Sequence, residues 1–353
     1  MIRARGRRRL AALLLAGLLS LGALSMSACA PTVMAEGPPV TSPHFDNDKL
    51  VMADGIALPL RQWLPEGQPR AIILALHGFN DYSKSFEEPA ANWASHGIAT
   101  FAYDQRGFGY APDFGYWPGT DTMVEDLRSA TSLIRARYPG TPLYLLGESM
   151  GGALIMTAET APHPPDCDGV ILAAPAIWGR ELQGPVGAGA LWFFAHTVPW
   201  LTVSGGGFNV KPSDNIKMLR ALGADPHVIK ETRVDAVYGL VDLMDRALAA
   251  APELKTRALV LYGQREQVLP SSAAMTMLRR LPPPPGRPRI AIYQSGYHML
   301  LRDLEGDVVR EDVAAWVLNP TLAALPSGAD TRAEAMLKSD APELKPVSQA
   351  AVP

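Results

Sequence analysis

The chain has 353 residues, of which 48% are hydrophobic and 19% charged, enough apolar material for one large α/β domain or two smaller ones. Lys and Arg number 32 against 35 Asp and Glu, a formal net charge of -3. No long basic run follows the first ten residues, so nucleic-acid binding, which needs clustered cations against phosphates, has little support.

The first element is a leader. Arg3, Arg5, Arg7, Arg8 and Arg9 form a cationic start, and 10–24 is an apolar run of signal-peptide length, short for a spanning helix. Met26-Ser27-Ala28-Cys29 resembles a bacterial lipobox, in which Cys29 is lipidated and becomes the new N-terminus; Met26 departs from the usual Leu. The alternative is ordinary cleavage after Ala28-Cys29-Ala30, which Pro31 disfavours, and the double arginine also allows twin-arginine export. Residues 1–28 therefore read as a lipoprotein-type signal. The protein is expected in the bacterial cell envelope, held at a membrane surface through Cys29, or otherwise periplasmic or secreted. With Cys29 lipidated, Cys167 has no partner and no disulfide is expected. Cys167 sits in a Pro/Asp-rich loop with no turn to present it as a nucleophile.

Residues 29–45, rich in Pro and Thr, read as a tether. Then 41–64 reads as an opening hairpin with Asp54-Gly55 as its tight turn. Continuous apolar runs at 71–76, 98–103, 143–146, 170–173, 258–262 and 290–293 are expected strands buried on both faces of a parallel sheet. Helices are expected between them at 86–96, 123–138, 151–160, 271–281 and 303–316. This alternation gives an α/β core in two parts, 46–176 and 252–318. The insertion 177–251, which holds Trp178, Trp192, Phe193, Phe194 and Trp200, reads as a helical cap. Its aromatics either pack within the cap or form an apolar lid over an acyl pocket. The stretch 319–353 lacks periodicity and reads as a mobile tail.

The chemistry concentrates at Gly147-Glu148-Ser149-Met150-Gly151-Gly152, a G-x-S-x-G nucleophile elbow lying between a buried strand and an Ala-rich helical run. The nucleophile must project from a sharp turn, and Gly147 and Gly151 flank it because a Cβ there would crowd that turn. A serine hydroxyl needs a base, and the fold order serine, acid, histidine requires one downstream. His298 follows the last apolar run; His163, His196 and His227 fall in surface or cap segments. The acid should follow the preceding strand, where Glu266 is the one carboxylate of the turn 264–270; Asp242, Asp245 and Asp303 are the alternatives. Oxyanion donors are expected at the backbone N–H groups of Met150 and Phe79. His77 reads as a buttress of the Phe79 loop. No His/Cys/Asp cluster has metal-ligand spacing.

HGFNDYS at 77–83, DQRGFG at 104–109, GESMGG at 147–152 and GYHMLLRD at 296–303 resemble the monoacylglycerol lipase and lysophospholipase group of α/β-hydrolases (serine aminopeptidase S33 type), over roughly 45–318. The resemblance implies a mostly parallel eight-stranded sheet, a helical cap after the sixth strand and no cofactor. It also implies esterase chemistry on single-chain lipid esters, with Ser149 as nucleophile, His298 as base and the Phe79 and Met150 amides as oxyanion donors. The family's acid position, usually Asp in G-x-x-D, falls on Glu266. Asp104 and Arg106 sit in a motif that looks structural. An acyltransferase on the same scaffold and a catalytically silent, lipid-anchored binding protein are the rival readings. Oligomeric state has no sequence signal.

Overall fold

The computed structural model describes residues 30–204, 210–283 and 288–338. The leader 1–28 and Cys29 lie outside the described residues. The chain opens with a meander of β1 (His44–Asp46), β2 (Lys49–Val51) and β3 (Ala57–Trp63), each antiparallel to the next. Next come β4 (Ala71–Leu76), α1 (Glu87–Ser95), β5 (Ile98–Tyr103), α2 (Thr120–Arg137), β6 (Leu143–Glu148), α3 (Met150–Glu159) and β7 (Gly169–Ala173). The alternation is then interrupted by α4 (Arg180–Thr197), β8 (Thr202–Val203), α5 (Ile216–Ala224), β9 (Thr232–Arg233) and α6 (Val234–Ala250). It resumes with β10 (Ala258–Gly263), α7 (Ser271–Arg280), β11 (Arg289–Tyr293), α8 (Gly306–Leu318) and α9 (Ala329–Lys338).

The main sheet has nine strands in the order β1-β2-β3-β5-β4-β6-β7-β10-β11, parallel from β5 to β11. It is mostly parallel, as expected. The strand beyond the expected eight is β1, whose sequence His-Phe-Asp carries no apolar run to announce it. Strand pleating divides β4 between two cores. Ile72, Leu74 and Leu76 pack on the side of α2, α3, α6 and α7, while Ala71, Ile73 and Ala75 pack on the side of α1 and α8. Every residue of β4, β5, β6, β7 and β10 is buried, which is why these strands read as unbroken apolar runs.

Three boundaries differ from the sequence reading. The expected tether is fastened down over 32–37: Met34 N–H donates to Trp117 O at 2.9 Å, and Glu36 N–H to Thr122 Oγ1 at 3.1 Å. These are long-range contacts that leave no periodicity in the sequence. The expected cap, 177–251, ends in a core helix, since α6 buries Ala236, Leu240, Leu243, Ala247 and Leu248 in the same core as α3. The expected mobile tail contains α9, which buries Ala329 and Ala333 and ties Asp330 to Arg289 of β11. Its alanines pack closely without giving a hydrophobic stripe.

Candidate active site

The elbow forms where β6 runs into α3. Ser149 has φ 53° and ψ -110°, a conformation that costs a non-glycine residue on the order of 1–3 kcal/mol. The surrounding backbone holds it there. Ser149 N–H donates to Ala173 O at 2.9 Å, and Ser149 O accepts from Ala176 N–H at 2.9 Å. A Cβ on Gly147 would stand 2.3 Å from Gly151 C, and one on Gly151 would stand 2.2 Å from Leu76 O, so the turn closes only with glycine at both places. Ser149 keeps partial exposure in an otherwise buried strand–helix junction.

The loops that carry Glu266 and His298 converge at the ends of β10 and β11. Gln264 N–H donates to Tyr293 O and Arg265 N–H to Gly296 O, both at 2.9 Å, which locks the two loops together. Across this junction Glu266 Oε2 meets His298 Nδ1 at 2.7 Å, with both side chains buried. Glu266 Oε1 accepts from the Val268 and Leu269 amides at 2.7 and 3.1 Å. Burial works to raise the Glu266 pKa, but the adjacent His298 and these two amides outweigh it and hold the carboxyl below its ordinary value. Burial likewise works to lower the His298 pKa, and the Glu266 carboxylate, aided by Glu148, carries it above the ordinary value. Nδ1–H therefore donates to Glu266 and leaves Nε2 as the basic nitrogen.

None of the alternative acids touches His298. Asp242 and Asp245 pair with Arg180 at 2.6 and 2.5 Å. Asp303 accepts from Ser213 Oγ at 2.6 Å and from Tyr297 N–H at 2.7 Å. Ser149 is the member the structure does not join: among the described residues its hydroxyl has no hydrogen-bond partner. Such contacts commonly tighten only when substrate binds.

Met150 is the first residue of α3, where the N–H has no intrahelical acceptor. Phe79 lies in the loop after β4, and among the described residues neither its N–H nor that of Met150 has an acceptor. His77 buttresses that loop, as expected. Its Nε2 accepts from Gln105 N–H at 3.0 Å, so Nδ1 carries the proton and donates to Gly78 O at 2.9 Å. Burial lowers its pKa and keeps the ring neutral. Asp104 accepts from Ser83 and Tyr110 N–H at 3.0 and 2.9 Å, and buried Arg106 bonds Asp126 and Asp54, so both serve structural roles. Cys167 is a free thiol in contact with Glu159 Oε1 at 3.4 Å, and burial pushes its pKa up, against nucleophilic use.

The sequence reading missed a buried ionic junction that joins the loops carrying these groups. Arg302 Nη2 lies 2.8 Å from Asp81 Oδ2 and 3.1 Å from Glu148 Oε1. Asp81 follows the Phe79 loop, Glu148 precedes Ser149 and Arg302 follows His298. The signal was present as the few charged residues of three motifs: Asp81 in 77–83, Glu148 in 147–152, and Arg302 beside Asp303 in 296–303. Among the described residues, no group of three or more His, Cys, Asp or Glu side chains is placed to hold a metal.

A strained serine between strand and helix, with a glutamate–histidine pair on the loops after the last two strands of the sheet, defines an α/β-hydrolase. Solved structures share the fold. The monoacylglycerol lipase of Paleococcus ferrophilus has TM-score 0.62 and 20% identity, over 74% of this chain and 98% of its own. A soluble variant of the Saccharomyces cerevisiae monoglyceride lipase has TM-score 0.61 and 19% identity, over 82% and 97%. In sequence, human monoglyceride lipase is 29% identical over 81% of this chain and 95% of its own length. The monoacylglycerol lipase of Mycolicibacterium smegmatis is 23% identical over 75% and 94%. The serine aminopeptidase S33 family profile matches residues 67–305, and the chain belongs to that family. It is a monoacylglycerol lipase-like α/β-hydrolase, a carboxylic ester hydrolase by class.

Proposed function

We propose that the protein hydrolyses esters of single-chain lipids, monoacylglycerols or lysophospholipids, through a Ser149-His298-Glu266 triad. The observation that carries the triad is the buried 2.7 Å contact between Glu266 and His298 Nδ1, which leaves Nε2 basic. The substrate class is supported by the names of the human and mycobacterial relatives. Ser149 Oγ attacks the ester carbonyl carbon as His298 Nε2 takes its proton, and the Phe79 and Met150 amides bind the oxyanion. His298 then protonates the departing alcohol. Water, deprotonated by the same nitrogen, attacks the acyl-enzyme and releases the fatty acid and Ser149. The leader 1–28 and the Met26-Ser27-Ala28-Cys29 pattern support export and lipid attachment at Cys29 in the cell envelope.

The test is hydrolysis of monoacylglycerol and lysophospholipid dispersions by wild type and Ser149→Ala. Wild type should release fatty acid, and the variant should lose at least about a thousandfold. A folded wild type that releases none overturns the reading. Transfer of the acyl group to added glycerol in place of water would favour the acyltransferase.

A further inference from the structure

The Phe79 amide can serve an oxyanion only if the loop 77–81 keeps one shape, and distant segments help to impose that shape. Asn80 has φ 68°, in the left-handed region that asparagine enters at a cost and keeps where its neighbours hold it there. Two outside supports do so. One is hydrogen-bonded: Asn80 O accepts from Ile229 N–H at 3.0 Å, and Asn80 Nδ2 donates to Thr232 Oγ1 at 2.7 Å. The other is aromatic: the Phe79 ring packs against those of Phe108 and Trp117, with centroids 5.6 and 6.3 Å away.

Both supports lead to one short segment near the start of the described chain. Trp117 belongs to no helix or extended strand. Its main chain is pinned instead by a parallel bridge to Val33 and by Met34 N–H, which donates to Trp117 O at 2.9 Å. Its indole is 3% exposed and rests on α6 at Gly239, where a Cβ would stand 2.3 Å from the ring. The indole thus has bare helix backbone and Phe79 as neighbours, and a close-packed interior of this kind passes a displacement on instead of absorbing it. The hydrogen-bonded support runs from Thr232 into Arg233 and Asp235. Asp235 is buried and accepts from Arg233 Nε at 2.9 Å and from Thr32 N–H at 3.2 Å. The Arg233 guanidinium lies over the ring of Tyr116, 4.4 Å from its centroid, next to Trp117 in the chain. Residues 32–34 therefore fasten Trp117 with one amide and the Asp235 corner with another.

We propose that the segment 32–34 positions the oxyanion loop, with Trp117 as the positioning residue that carries its hold to Phe79. The proposal rests on the reading of the Phe79 amide as oxyanion donor given above. It gives a consequence for the reaction to a stretch of chain that, among the described residues, makes no bond to Ser149, Glu266 or His298. Loosening the segment frees Trp117, Phe79 relaxes with it, and the amide turns from the place where negative charge develops. The Glu266–His298 pair, held by other loops, keeps its geometry.

The experiment compares wild type with Thr32→Pro/Met34→Pro in the full chain, since proline removes the two fastening N–H donors and alters no core side chain. Trp117→Leu, which removes the ring against Phe79, is the second variant. Both are assayed, under conditions where urea melts show them folded, on p-nitrophenyl butyrate and against a trifluoromethyl ketone whose serine adduct carries an oxyanion. Both should lose about ten- to a hundredfold in kcat with KM nearly unchanged, and weaken ketone binding by the same factor. The acid limb of the pH profile should stay in place. Wild-type kcat in the double-proline variant overturns the proposal whatever its unfolding midpoint, because the segment then serves stability alone. A fall in kcat with ketone binding unchanged, or with the acid limb moved, puts the damage outside the oxyanion loop and overturns it as well. If the double-proline variant does not fold, Trp117→Leu gives the same readings. A wild type that cleaves no soluble ester overturns the site reading itself, so the two failures are told apart.

Discussion

The charge on one carboxylate controls the protonation of the histidine beside it. Glu266 is the principal group raising the His298 pKa above its ordinary 6.5, and a protonated His298 cannot act as base. Activity should therefore fall as pH drops through a value above 6.5. Glu266→Gln keeps the side-chain shape and removes the anion. It should lower kcat/KM by roughly 10²–10⁴ and move the acid limb of the residual activity to lower pH. A profile of unchanged height and position would assign the acid elsewhere. Glu148→Gln tests the buried junction at the same scale. Glu148 raises the His298 pKa and Arg302 lowers it, so neutralising Glu148 removes one influence and leaves the other less compensated. Both changes have the same sign, and the acid limb should move to lower pH with Glu266 intact. A purely structural role would reduce kcat without shifting the limb. The elbow at Ser149 and the place of His298 beyond the last strand were legible in the sequence because turn geometry and chain order dictate them. The pairing of Glu266 with His298 was legible by elimination within one short loop. Arg302 was not, because its partners Asp81 and Glu148 lie more than a hundred residues away and only folding brings them together.

Whole elements were legible in proportion to how much of their own burial their sequence declares. The strands 71–76 and 98–103 fall where the apolar runs put them, since each buries every residue between two helical layers. The helix α6 was misassigned because an amphipathic stretch looks the same whether its apolar side meets a cap or the α/β core. The helix α9 was missed because alanine packs well but scarcely registers as hydrophobic patterning. Its contribution is measurable. Leu325 is buried, Asp330 accepts from Leu325 N–H at 3.0 Å and meets Arg289 at 3.2 Å, and Ala329 and Ala333 are fully enclosed. Burying one leucine is worth roughly 1.5–3 kcal/mol, so ending the chain at 318 should lower unfolding free energy by at least about 2 kcal/mol. Denaturant melts of the two lengths, compared at equal m-value, measure this. Coincident midpoints would make the segment a passenger.

At the scale of the molecule, the cap and the core are joined where the loops of the candidate site are. Asn80 Nδ2 donates to Thr232 Oγ1 at 2.7 Å and Tyr82 OH to Asp225 Oδ2 at 2.7 Å, linking the Phe79 loop to the segment before α6. On the other side, Asp303 holds Ser213 at 2.6 Å and the Tyr297 amide at 2.7 Å, so one carboxyl ties the segment before α5 to the His298 loop. Among the described residues Asp303 makes no ion pair, and burial pushes its pKa from 3.8 up to about 6. The folded state thus retains a proton that the unfolded chain has already released across this interval. The stability contributed by Asp303 is complete below 3.8 and is lost as pH rises through about 6. Glu266 acts in the opposite sense, because its folded pKa lies below 4.5, and what it contributes is lost as pH falls. The two slopes overlap, so the wild-type curve alone cannot separate them, but the difference between wild type and Asp303→Asn can. Asparagine accepts the same Tyr297 N–H bond through its amide oxygen and does not titrate. Relative to wild type, Asp303→Asn should gain stability as pH rises from 4 to about 6 and hold a constant difference above that. Urea midpoints of both proteins at pH 4, 5, 6 and 7.5 supply the measurement. A difference that does not change across this interval would mean that Asp303 is ionised throughout, with the cap tie then held by a charged carboxylate.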